Sequence, residues 1–210
     1  MWAKPVEIVD DYTFLGWEHV VCANRKQEEG TYALHNAFVE KDVKIGDGAY
    51  VENAYLAKGV VVEDMTVVSG LQIPENCILR KNVVYHGLKL QNGNFVVRVY
   101  GVDDNPKGTL EKNDKFLHTT LQNFMDTYGL EAEDIWSDAD HSLWKANIYP
   151  ECDTIKECMD YAEFLVQMTT MPSGNEEVSV AEAEERMTLS PEWLTKWKNS
   201  KRTSLYSSFN

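Results

Sequence analysis

The chain has 210 residues, 43% of them hydrophobic, and carries 34 acidic against 20 basic residues for a net charge of −14. This length allows one large domain or two small ones, and the apolar content suffices for a real core. The acidic balance argues against nucleic-acid binding, which needs a basic face; no N-terminal apolar run or bilayer-length apolar segment is present, so a soluble cytoplasmic protein with no membrane partner is expected.

Residues 1–36 read as strands and loops, with short β candidates at Val6–Val9 and Tyr12–Leu15 and a polar turn over Arg25–Gly30. From Val39 to Val84 the chain repeats every six residues. Blocks open on the aliphatic residues Val39, Ile45, Val51, Leu56, Val62, Val68, Ile73 and Leu79. A second small or branched residue stands fifth in the full blocks, at Val43, Ala49, Val60, Thr66, Cys77 and Val83, while the blocks at Val51 and Val68 are one residue short. A meander of ordinary strands predicts a period of two, which this stretch lacks. A period of six predicts a parallel β-helix, in which each short strand buries its aliphatic residue and neighbouring coils stack. Eight blocks at three per coil give fewer than three coils, so the ends or a side need covering. Ala33 lies six residues before Val39 with Leu34 beside it, which allows an earlier start.

The repeat is similar to that of hexapeptide-repeat proteins, and this resemblance, not the spacing, implies a left-handed winding. Acyltransferases of that kind work as trimers with an active-site His between coils, and sugar-nucleotide pyrophosphorylases carry such a helix as a C-terminal appendix. The repeat alone does not choose between them.

After Val84 the pattern changes. Asn92-Gly93 between the apolar runs ending at Leu90 and starting at Phe95 signals a hairpin. A polar loop, Gly101–Gly108, follows. The remainder reads as helical. Asn113 caps a helix bearing Leu117, Leu121, Phe124, Met125 and Tyr128, stopped by Gly129. Thr154-x-x-Glu157 is a capping box before Ile155, Cys158, Met159, Ala162, Leu165 and Val166. Pro172–Gly174 breaks the chain, Ser179-x-x-Glu182 is a second box, and Ser190-Pro191 starts a last helix with Trp193, Leu194 and Trp197. The expected organisation is mainly β with α: a short left-handed parallel β-helix domain with its hairpin over 1–110, and an α-helical segment packing on it over 111–210. Residues 131–185 hold fifteen acids and two bases, which reads as a solvated helical surface.

Cys22, Cys77, Cys152 and Cys158 form no C-x-x-C pair and, with the histidines, no zinc spacing; they read as reduced thiols used as small apolar residues. Candidate ligand contacts fall in two places. In the loop Asp103-Asp104-Asn105-Pro106-Lys107, the two carboxylates offer oxygens to sugar hydroxyls or a cation and Lys107 an ammonium to a phosphate, with Asn105 beside them, against the plainer reading of a turn whose Asp and Asn bond their own backbone. On the hairpin, His86, Lys89 and Arg98 offer a small anion site, against cross-strand charges on a solvated face. His35 or His86 is the acyltransferase base if that reading holds. Trp136 and Trp144 offer stacking surfaces for a sugar, though burial between elements is their commoner use.

Two segments together carry a family resemblance: His86-Gly-Leu-Lys-Leu…Phe95-Val-Val-Arg-Val-Tyr-Gly-Val-Asp-Asp-Asn-Pro-Lys107, and Ser142-Leu-Trp-Lys-Ala-Asn-Ile-Tyr-Pro150. Both resemble the pyrophosphorylase part of the L-fucokinase/GDP-fucose pyrophosphorylase (fucose-1-phosphate guanylyltransferase) family, as does Arg202–Asn210. The resemblance implies a sugar-phosphate or nucleotide-sugar ligand and a reaction joining fucose 1-phosphate to GTP. That chemistry needs a Gly-rich phosphate loop and carboxylates on Mg²⁺. The sequence has no G-x-G-x-R-type loop before the repeats, no Walker motif and no kinase Gly-rich motif. No catalytic residue or cofactor is therefore assigned to it, and Mg²⁺ enters only if it is joined to a nucleotidyltransferase core. The expected role is a scaffold or sugar-phosphate-contacting module, attached to a catalytic domain or forming a homo-oligomer. The alternative is a trimeric hexapeptide acyltransferase.

Overall fold

Parallel pairing in steps of 17 residues builds the first part of the chain. The structure is a computed structural model that describes His19–Cys22, Arg25–Lys26 and residues 32–170 and 191–206. The expected elements at Val6–Val9, Tyr12–Leu15, 27–30, Pro172–Gly174 and Ser179–Glu182 lie outside the described residues, as does the end of the Arg202–Asn210 segment. The chain divides into two compact units, Met1–Leu88 and Lys89–Asn210.

In the first unit, strands β1 (His19–Cys22) and β2 (Arg25–Lys26) lead into a solenoid. Strands β3 (Tyr32–His35), β4 (Ala37–Glu40) and β5 (Lys44–Ile45) form one turn. Strands β6 (Ala49–Glu52), β7 (Tyr55–Leu56) and β8 (Val61–Val62) form the next, then β9 (Val67–Ser69), β10 (Gln72–Ile73) and β11 (Ile78–Leu79). Strand β12 (Val83–Lys89) begins a fourth. Each side of the coil is a parallel sheet: β3-β6-β9-β12, β4-β7-β10 and β5-β8-β11. Tyr50 faces Val67, which faces Val84, and the hydrogen bond from Asn36 to Asn53 spans the same 17 residues. Three six-residue sides would give eighteen. The two short blocks, at Val51 and Val68, fall on the same side of successive turns, and each removes one residue.

Six of the eight aliphatic block-openers are buried, while Val39 and Ile45, in the first turn, are only partly so. Leu34, Val51, Val68 and Tyr85 stack in one buried column, Leu56 over Ile73 in a second and Val62 over Leu79 in a third. The first turn thus opens at Leu34 rather than at Ala33. Thr66 is buried among these side chains with its hydroxyl bonded to Arg80 O at 2.8 Å, which spares the core an unmet polar group. The coil bends at three corners, each with a left-handed residue recurring at the same 17-residue step: Asn36, Asn53, Gly70; Asp42, Gly59, Asn76; Gly48, Met65, Asn82. Asn, Asp and Gly tolerate that conformation. Met65, at φ 56 and more than half exposed, is the exception. Its thioether lies over Gly48, where a Cβ would collide with it. Strands β1 and β2 run antiparallel to β4 and β3, covering sheet edges that would otherwise be open.

In the second unit the expected turn is present: Leu90 N–H bonds Asn94 O at 2.8 Å around Gly93, at φ 92. Strand β13 (Phe95–Gly101) follows, then β14 (Lys115–Phe116) and β15 (Thr119–Thr120), an antiparallel pair. Helices α1 (Leu121–Tyr128), α2 (Ala132–Ile135), α3 (Ile155–Thr170) and α4 (Pro191–Asn199) complete it with strands β16 (Tyr149–Pro150) and β17 (Arg202–Thr203). Helix α3 packs on β13. Phe124 meets Phe116 and Trp197 edge-on at 5.4 and 6.2 Å, and Trp197, fully buried, donates its indole N–H to Ile148 O.

One expected helix is shorter than its apolar spacing suggests. Asn113 closes a 3₁₀ turn, Leu117 sits in the β14–β15 turn, and α1 begins only at Leu121 with Thr120 as its cap. Thr120 accepts the Asn123 N–H, and the Lys115–Thr120 pairing takes the residues ahead of it out of the helix. Gly129 does stop α1, in left-handed conformation; Thr154 caps α3 through the Glu157 N–H, and Pro191 starts α4. Among the described residues no helix is long and apolar enough to cross a membrane.

Candidate functional site

Strand alternation puts Arg98 and Tyr100 on one face of β13, and Val97 and Val99 on the other. Arg98 is only 3% exposed. One of its terminal nitrogens donates to Ser204 O at 3.0 Å, and its Nε has no hydrogen-bond partner. Burial draws the guanidinium below its ordinary pKa, while the neighbouring Tyr149 and Tyr100 act in the opposite direction. A buried cation with an unmet donor is costly unless something accepts from it.

Gly101 ends β13 and starts the polar loop. The Asp104 carboxylate folds back there: Oδ2 accepts the N–H groups of Gly101 at 2.6 Å and Leu117 at 2.8 Å, and Oδ1, also buried, has no partner. A Cβ on residue 101 would stand 2.6 Å from Oδ1, so only glycine permits this approach. Burial raises the Asp104 pKa, against the two backbone N–H bonds and Lys115, which lower it. Leu117, the second donor, is buried and left-handed at φ 52. A bulky residue held there stores strain of the kind that collects at binding sites.

Tyr149 is fully buried. Its hydroxyl donates to Val99 O at 3.0 Å, and its pKa is raised by burial first and by Asp104 second. Tyr100 is raised too, by burial, with Arg98 lowering it and Asp104 raising it. Tyr100 and Tyr149 thus each sense both Arg98 and Asp104, which gathers the four into one polar cluster.

Three distant stretches hold this cluster. Trp144 N–H bonds Pro106 O at 2.6 Å and Leu143 N–H bonds Gly108 O at 2.9 Å, which ties the 101–108 loop to the 142–150 segment. Tyr149 and Pro150 pair with Thr203 and Arg202, and Tyr206 N–H bonds Trp144 O at 3.1 Å. The Lys145 ammonium lies 5.3 Å over the Tyr206 ring, with Trp144 beside it at 6.4 Å.

The remaining candidates have other surroundings. Asp103 is exposed and 3.7 Å from Lys115, a surface pair of small consequence. Asn105 accepts the Lys107 N–H at 3.1 Å, the backbone-bonding turn that its position suggests, and Lys107 is exposed. Lys89 is exposed, its ammonium 5.7 Å from the Phe95 ring centre. His86 belongs to the first unit, where β12 sets it opposite Ser69; His35 lies opposite Glu52 in β3. Trp136 is buried with its indole N–H on Ser142 O. Tyr100, Tyr149 and Ser204 fall inside the segments of family likeness and Leu117 on an expected helix, but the sequence singled out none of them as a ligand contact.

A divalent ion does not fit the paired aspartates. Asp103 turns to Lys115 and Asp104 to backbone N–H groups, and among the described residues no three His, Cys, Asp or Glu side chains come together as ligands.

Residues 9–154 match the family model of the fucose pyrophosphorylase domain. The chain belongs to that family. No curated protein and no solved structure matches it. The fucose pyrophosphorylase domain, a sugar nucleotidyltransferase-like family, takes in the solenoid, the Asp104 loop and Tyr149, and its match ends at Thr154, the cap of α3. Ser204, which receives Arg98, lies beyond the matched residues.

Proposed function

We propose that this chain is the β-helix part of a sugar-1-phosphate nucleotidyltransferase and that its second unit contacts the sugar phosphate. The observation that carries this reading is that two of the three unmet buried side-chain atoms among the described residues are Arg98 Nε and Asp104 Oδ1, whose groups both act on Tyr100. A guanidinium donates to phosphate or hydroxyl oxygens, and a carboxylate accepts hydroxyl protons, the two demands of a sugar phosphate. Lys107 and Asn105 stand exposed on the same loop as further contacts. Nucleotidyl transfer and its Mg²⁺ are assigned to an attached nucleotide-binding core, since the sequence carries no Gly-rich phosphate loop. The same reading places the solenoid in the left-handed hexapeptide class, supported by the blocks of six and five residues that make up each turn. No observation favours the acyltransferase alternative.

Calorimetric titration with fucose 1-phosphate, GTP and GDP-fucose tests the proposal. The two fucose compounds are expected to saturate the chain and GTP alone is not. Arg98→Met is expected to weaken fucose 1-phosphate binding by about tenfold or more, the effect of losing a charged hydrogen bond. Undiminished binding by Arg98→Met, or pyrophosphate release from GTP and fucose 1-phosphate by the chain alone, would overturn it.

A further inference from the structure

Among the described residues of the second unit, Tyr206 is the one large hydrophobic residue left exposed, at 48%. Its position is nonetheless fixed. The Tyr206 N–H donates to Trp144 O at 3.1 Å and to the Ser204 hydroxyl at 3.2 Å. The Lys145 ammonium lies 5.3 Å from the centre of the Tyr206 ring and is itself held by Asp138 Oδ2 at 3.1 Å. The half-buried Trp144 ring stands 6.4 Å away, tilted by 56°. Fixed aromatic walls beside a few placed polar groups are the ordinary lining of small-molecule sites.

Both backbone partners of Tyr206 lead to the groups already assigned to the phosphate. Ser204 O accepts from Arg98 at 3.0 Å. Trp144 N–H bonds Pro106 O at 2.6 Å, between Asn105 and Lys107. A single residue therefore stands between Tyr206 and Arg98 on one side, and between Tyr206 and the Lys107 loop on the other.

We propose that the Tyr206 ring, with Trp144 beside it, is the platform on which the pyranose ring of the sugar phosphate rests. The proposal depends on the sugar-phosphate reading above and gives that ligand its orientation. A hexopyranose 1-phosphate has two unlike parts. Its phosphate asks for cations, which Arg98 and Lys107 offer. Its ring carries a face of C–H groups, apolar and faintly positive, which suits the negative face of an aromatic ring. Lys145 takes one face of Tyr206, so the sugar takes the other.

The test uses the full chain and fucose 1-phosphate, with calorimetry on the wild type, Tyr206→Ala and Tyr206→Phe. Tyr206→Ala is expected to bind about fivefold more weakly, the scale of a lost stacking contact. Tyr206→Phe keeps the ring and should stay within about twofold of the wild type. Saturation-transfer NMR with irradiation of the aromatic protons reads the contact itself. Transfer to the pyranose C–H protons is expected in the wild type and in Tyr206→Phe. With GDP-fucose, transfer to the guanine proton instead of the pyranose protons would assign the platform to the base and overturn the proposal. An equal loss of affinity in Tyr206→Phe and Tyr206→Ala would also overturn it, since the hydroxyl would then be the contact. Weakened binding in Arg98→Met with undiminished binding in Tyr206→Ala defeats the platform alone. A wild-type chain that fucose 1-phosphate does not saturate defeats both readings.

Discussion

Val68→Asp is expected to abolish cooperative unfolding of the first unit, while Val67→Asp, one residue earlier, should cost only about 1 kcal/mol, the span of strand propensity. Val68 is fully buried between Val51 and Tyr85 in the inward column. A carboxylate there loses its hydration and meets apolar carbon on both sides, the Val51 methyls and the Tyr85 ring. The penalty for an ion after relaxation is several kcal/mol, on top of the lost apolar contact. A domain margin of about 5–15 kcal/mol leaves little after that. Val67 pairs in the same strands but is only partly buried, on the outer face. Its carboxylate keeps its water. Denaturant melts followed by circular dichroism read both variants. The opposite ranking would mean a register shifted by one residue, which exchanges the two faces of every strand in the column.

Asp104→Ala is expected to destabilise the second unit by about 2–4 kcal/mol, because two N–H donors lose a charged acceptor at once. One donor is Leu117, whose left-handed backbone the carboxylate helps to hold. Asp104→Asn keeps one acceptor oxygen and should lose less. The two residues also separate by pH. Burial raises the folded Asp104 pKa above its ordinary 3.8. The favourable contribution of its titration is then complete below 3.8 and fades as pH rises through the higher folded value. The stability of the wild-type chain relative to Asp104→Asn should therefore fall as pH climbs from acid. A rising difference over that range would mean that the N–H bonds outweigh burial.

Much of the solenoid could be read from the sequence because its rule is local. Six of the eight aliphatic block-openers are buried as their spacing suggests, Val39 and Ile45 only partly, and the blocks at Val51 and Val68 are visibly one residue short. The 17-residue step itself came from their falling on the same side of successive turns, which spacing within a block cannot show. Gly129, Thr154 and Pro191 mark helix ends by chemistry within one turn of chain. Leu117 misled for a similar reason. It keeps helical spacing with Leu121, Phe124 and Tyr128 but lies in a turn fixed by Asp104, thirteen residues away.

The polar cluster was less legible. Arg98 looked like a hairpin cation beside Lys89, yet it is buried on Ser204, 106 residues further on, and Tyr149 reaches Val99 across 50. No period relates such residues. The pairing of the Asp103–Lys107 loop with the Leu143–Pro150 segment was visible only as family likeness. The structure supplies its physical basis in two backbone hydrogen bonds, from Trp144 to Pro106 and from Leu143 to Gly108.

Hydrogen–deuterium exchange with and without fucose 1-phosphate tests the central claim most directly, since it reports on each segment separately. Slower exchange is expected over residues 98–108 and 142–150 and at the Arg202–Tyr206 end, with the solenoid amides of 44–79 unchanged. Protection confined to the solenoid, or none at saturating ligand, would contradict the account.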